Sequence, residues 1–146
     1  TASLAACVTA SLAAGGTADE KITGALIAAL GHASGDVRRA AARALGRFEP
    51  AVTPALSRAL ADANTEVRRG AAEALGLIGV AAIDELIAAL ANDSPPVRRA
   101  AARALGRLGS AAKSAEPALT QAASADKDPL VRQTAHRARR RIRAAQ

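Results

Sequence analysis

Along most of the chain apolar residues return at steps of three and four, the period of a helix with one buried face. One phrase sets the register. VRRAAARALG occupies 37–46, returns as VRRGAAEALG over 67–76 and as VRRAAARALG over 97–106, each 30 residues after the last. A fourth, degraded copy, VRQTAHRARR, begins at Val131, 34 residues beyond Val97. Within the copies Val37, Ala41, Ala44, Leu45 and Phe48, then Val67, Ala71, Ala74, Leu75 and Ile78, then Val97, Ala101, Ala104, Leu105 and Leu108 share one helical face. Each phrase therefore predicts an amphipathic helix, here termed helix B. Ser34, Asn64, Ser94 and Asp128 stand three residues before the valines and read as N-caps. Pro95 and Pro129 take the first helical position, and Gly79 and Gly109 close two of the helices.

A shorter apolar pattern precedes each phrase: Leu26 and Leu30, Leu56 and Leu60, Leu86 and Leu90, and more weakly Leu119 and Ala123. This is helix A. Thr53-Pro54 reads as a cap followed by proline, and Thr17 with Glu20 has capping-box spacing. Breaks fall near 31–36, 61–64, 91–94 and 124–128, so each unit is a helical hairpin. One hairpin cannot bury its apolar face alone, whereas stacked hairpins share a continuous core. The predicted fold is an all-α solenoid forming a single domain over 1–146, with repeats at 17–49, 50–79, 80–109 and 110–146 and a cap or half repeat at 1–16. Composition agrees: 43 residues are alanine and Phe48 is the one aromatic residue, so the core is thin and its helices must approach closely. Gly46, Gly76 and Gly106 lie inside the B helices, where they would allow that approach.

The pattern resembles the short HEAT-repeat family of the phycobilisome-lyase type, whose repeats of about 30 residues read roughly L-x-x-A-L-x-D and then V-R-x-x-A-A-x-A-L-G. The resemblance runs from about residue 17 to about 142 and implies fold rather than activity. Two departures stand out: Arg139 replaces the leucine of Leu45, Leu75 and Leu105, and residues 1–16 fit no full repeat. Both ends thus read as caps. The resemblance also implies a ladder across the loops of adjacent repeats, with Asp62, Asp93 and Asp126 as acids and Arg38, Arg68, Arg98 and Arg132 as bases.

Net charge is +7, and arginine supplies 17 of the 20 basic residues. With the ladder set aside, a second arginine stripe remains two, six and ten residues after each valine. It comprises Arg39, Arg43 and Arg47, then Arg69, then Arg99, Arg103 and Arg107, then Arg137 and Arg141, with Glu73, Leu77 and Gln133 interrupting it. Since B helices line the concave side in the family, the resemblance implies that this stripe faces a groove. Arginine's planar fork suits carboxylates and phosphates. The expected function is a protein-protein interaction scaffold whose B-helix face binds an acidic protein partner; sequence-independent binding of a nucleic acid backbone is the alternative, which the tail Arg139-Arg140-Arg141 with Arg143 would strengthen. No aromatic residues interleave with the arginines, which argues against stacking on single-stranded bases.

Catalysis needs a nucleophile, a tuned acid or base, or a metal in mutual reach. The sequence offers none of these constellations, so no catalytic residue, metal or cofactor is expected. His32 and His136 have no second ligand at zinc spacing, and Asp84 and Glu85 are adjacent and point to different faces. A bilin-lyase role is a remote alternative that the resemblance alone suggests. Cys7 cannot form an internal disulfide, and no apolar run is long enough to cross a membrane as a helix. Ser3-Leu4-Ala5-Ala6-Cys7 has the form of a lipoprotein lipobox without the preceding charged and apolar regions, so export is the lesser expectation beside a cytoplasmic default. Lacking an initiator methionine, the chain reads as processed or as a piece of a larger protein or assembly.

Overall fold

The computed structural model describes residues 18–47 and 52–145. Eight α-helices follow one another in these residues: α1 (Ala18–Ala29), α2 (Gly35–Gly46), α3 (Thr53–Ala59), α4 (Thr65–Ile78), α5 (Ile83–Ala89), α6 (Pro95–Leu108), α7 (Glu116–Ala125) and α8 (Pro129–Ala144). No strand occurs among the described residues. Odd-numbered helices are the A members of the hairpins and even-numbered ones the B members. The B helices lie side by side in chain order, α2 on α4, α4 on α6 and α6 on α8, and each also packs on its own A helix. Every repeat thus meets chiefly its sequence neighbours, as a solenoid requires.

The apolar stripe accounts for the stacking. Val37, Ala41 and Leu45, Val67, Ala71 and Leu75, and Val97, Ala101 and Leu105 are all buried, as are Leu26, Leu30, Leu56, Leu60, Leu86, Leu90 and Leu119 from the A helices. Ala123 is only half-buried, and Ala122 faces the core beside Leu119 instead. Of the three glycines that end the repeated phrase, two sit at a close approach. A Cβ on Gly46 would stand 2.9 Å from Leu77 Cβ, and one on Gly106 would stand 3.1 Å from the Ala138 backbone. Gly76 is different: Arg107 Cβ, at 3.8 Å, would be the nearest atom, so that glycine is not required for packing.

The helix boundaries separate side-chain caps from mere positions. Asn64 Oδ1 accepts the Glu66 N–H at 2.8 Å, and Asp128 Oδ1 accepts those of Leu130 and Val131 at 2.8 and 3.1 Å. Ser34 and Ser94 occupy the same extended cap position without a side-chain cap bond. Thr53 does not cap α3. It is the first residue of the helix, Val52 holds the cap position, and the Thr53 hydroxyl is buried with no hydrogen-bond partner among the described residues. The reason is packing: Val52 is itself buried, so the chain enters the helix one residue earlier than the Thr-Pro pair suggests. Thr17, Phe48 and the expected cap at 1–16 lie outside the described residues.

Short 3₁₀ segments, Gly79–Ala82 and Gly109–Ala115, join repeats two to three and three to four. Gly79 and Gly109 open them at φ +81° and +59°, a region that penalises any Cβ. The second segment, seven residues against four, takes up most of the lengthened interval before Val131. In the last repeat Arg139 is half-buried in place of the usual leucine, and Ile142 is fully buried.

Candidate docking surface

At the start of each B helix one arginine is spent on the fold. Arg38, Arg68, Arg98 and Arg132 each send Nη1 back to two carbonyls of their own hairpin loop, five and six residues earlier: His32 and Ala33, Asp62 and Ala63, Asn92 and Asp93, Asp126 and Lys127, at 2.7–3.2 Å. These carbonyls follow the A helix, where backbone acceptors lack intrahelical donors. The loop is pinned a second time. His32 Nδ1, Asp62 Oδ1, Asn92 Oδ1 and Asp126 Oδ1 accept the N–H two residues on, at 2.8–3.0 Å. The repeated acceptor position is therefore 32, 62, 92 and 126, and Asp93, one residue out of register, contributes its carbonyl.

Between repeats the arginines reach different acids. Arg98 makes a two-point ion pair with Asp126, Nε to Oδ2 at 2.8 Å and Nη2 to Oδ1 at 2.9 Å, with side chains 14% and 8% exposed. Asp126 is held below the usual carboxylate range, chiefly by that hydrogen bond, and Arg98 is pushed above its ordinary value by the same contact. Arg38 pairs with Glu66 at 3.4 Å rather than with Asp62. Arg68 finds Thr65 Oγ1 at 2.9 Å and no acid of the next repeat.

The second arginine stripe lies across the B helices. Arg39, Arg69, Arg103 and Arg107 line a cavity of about 470 Å³ that spans α2, α4 and α6, together with Glu66 and Glu73. Arg103, Arg107, Arg137 and Arg141 line a second, of about 220 Å³, between α6 and α8. Arg43, Arg47 and Arg99 line neither, and Arg43 and Arg47 are exposed. The stripe is electrostatically uneven. Arg39 pairs with Asp36, and Arg69 lies 3.5 Å from Glu66. Among the described residues no carboxylate is within ion-pair distance of Arg99, Arg103, Arg107, Arg137 or Arg141. Arg103, half-buried, has its pKa lowered first by desolvation and then by Arg99, Arg69 and Arg107.

The basic tail is not a uniform run. Arg143 pairs with Glu116 at 2.6 Å, Arg139 turns inward with a buried Nε that has no partner among the described residues, and Arg140 and Arg141 are exposed. Among the described residues no three His, Cys, Asp or Glu side chains gather as a metal site, and no helix is long and apolar enough to cross a membrane.

Stacked hairpins with an arginine-lined B face define an α-solenoid repeat protein. The HEAT repeat model matches residues 22–94 and 83–145, so the chain belongs to the HEAT-repeat family. HEAT repeats ordinarily serve as protein-interaction scaffolds and are typically non-catalytic. No curated protein matches the chain. Among solved structures it is similar to an engineered protein from a structural genomics programme, with 23% identity and a TM-score of 0.46 over 88% of this chain and 67% of that one.

Proposed function

We propose that the protein is a non-catalytic interaction module that docks an acidic protein segment across the B-helix face, with Arg103, Arg107, Arg137 and Arg141 as its principal contacts. The supporting observation is the imbalance of the stripe. Arg39 on α2 and Arg69 on α4 already have carboxylates; among the described residues the five stripe arginines of α6 and α8 have none, and neither do Arg43 and Arg47. Arg103 is half-buried, and a partly desolvated cation without an internal partner is attracted to an external anion more strongly than one on an open face; Arg107, Arg137 and Arg141 are exposed around the same cleft. Arg43 and Arg47, which line neither cavity, would add steering rather than close contact.

The test is fluorescence anisotropy with a labelled Asp/Glu-rich peptide at low and physiological salt. The double variant Arg103→Glu, Arg137→Glu is expected to weaken binding by at least about tenfold, since reversal replaces attraction by repulsion at the centre of the patch. Its far-UV circular dichroism should match the parent. Undiminished affinity in a folded variant would remove this face from the function.

A further inference from the structure

Resting on that docking reading, we infer that the cleft between α6 and α8 is a phosphate-group subsite, built to seat a phosphorylated residue of the acidic segment. Arg103 and Arg107 approach from α6, Arg137 and Arg141 from α8, and among the described residues no carboxylate lines the space between them. The wall-to-wall distance is set by packing rather than by side-chain reach. Gly106 lets α6 close on the Ala138 backbone, and a Cβ there would meet it at 3.1 Å, so the arginines flank a narrow slot. The slot holds about 220 Å³. At roughly 30 Å³ per water that is room for a tetrahedral anion and its linker, and far too little for a helix.

Charge selects the kind of anion. One carboxylate brings a single charge to a site lined by four guanidinium groups. A phosphomonoester brings a charge of about −1.5 to −2 and three strong acceptor oxygens, which planar forks can engage in pairs from both walls. The Thr134 hydroxyl on the same wall donates to the Leu130 carbonyl at 2.7 Å, leaving recognition to the arginines. Desolvation of Arg103 adds to this: its guanidinium has lost hydration without gaining a carboxylate, so an incoming anion relieves a cost already present in the free protein. The larger cavity lacks this character because Glu66 and Glu73 line it.

The experiment compares an Asp/Glu-rich peptide carrying one phosphoserine with its unphosphorylated twin, by anisotropy on the full chain. At about pH 7.5 the phosphopeptide is expected to bind about tenfold tighter, the equivalent of one added charge-assisted hydrogen bond. Lowering the pH to about 5 should narrow the gap, because the phosphate's second ionisation lies near 6 while arginine stays charged. Replacing Arg137 and Arg141 with Gln should erase the preference, whereas Arg58→Gln, exposed on the A helix α3, should preserve it. Equal affinity for the twins at both pH values would overturn the subsite and leave the docking surface standing. Failure of both peptides to bind would overturn both the subsite and the docking surface. A length-matched DNA duplex that displaces the phosphopeptide and binds more tightly would overturn the subsite in favour of a nucleic acid backbone.

Discussion

Replacing Leu75 with alanine is expected to lower the free energy of unfolding by about 2–5 kcal/mol, toward the upper end of that range. Leu75 is fully buried on α4, a B helix flanked on both sides by other B helices. Its neighbours on that helix, Ala71, Ala72 and Ala74, are buried alanines that have no longer rotamer with which to fill a vacated volume. The cavity left by the substitution should therefore persist, and residual cavity volume is what separates costly truncations from mild ones. Urea unfolding followed by circular dichroism measures the difference directly. Val80→Ala serves as the comparison, since Val80 is 70% exposed and its truncation should stay within about 0.5 kcal/mol. A Leu75→Ala midpoint indistinguishable from that of Val80→Ala would contradict the stacking of repeats two and three.

What the sequence made legible was whatever repeats with a period. The Val-Arg-Arg phrase has helical spacing inside it and hairpin spacing between copies, so the B helices, their order and their buried faces could all be read before any coordinates. Features lacking a periodic signature were not legible. The 3₁₀ connectors Gly79–Ala82 and Gly109–Ala115 carry alanine-rich sequence much like that of the helices they join, and only the positive-φ glycines mark their start. Thr53 failed as a cap because the burial of Val52, a tertiary effect, outweighed a local preference. Asp93 was one residue from the repeated acceptor position, which Asn92 fills. Counting six residues back from each Val-Arg-Arg arginine would have found it. For the candidate site, residue identities were legible and their inequality was not: the stripe arginines look alike in one dimension, and folding pairs Arg39 and Arg69 while leaving Arg99, Arg103, Arg107, Arg137 and Arg141 without carboxylates among the described residues.

The inter-repeat ion pair carries the other large effect. Asp126→Ala is expected to destabilise the chain by about 3 kcal/mol, more than its partner loses in Coulomb energy at a surface site, because it leaves a mostly buried arginine without its anion. Arg98 would keep its two loop carbonyls, yet its Nε and Nη2 would lose both acceptors, and Asp128 N–H would lose the Asp126 oxygen that fixes the entry to α8. The pH dependence has a definite sign. Asp126 is depressed in the folded chain, so its contribution is fully present above the unfolded carboxylate value of about 3.9 and drains away as pH falls from there through the lower folded value. The parent should accordingly lose stability between about pH 4 and the folded value more steeply than Asp126→Ala does, and the difference between them should be flat from about pH 5 to pH 8. Urea midpoints collected across that range test both statements. Parallel curves below pH 4 would mean that Asp126 titrates in the folded chain as it does in the unfolded one, and that repeats three and four are joined by their apolar faces alone.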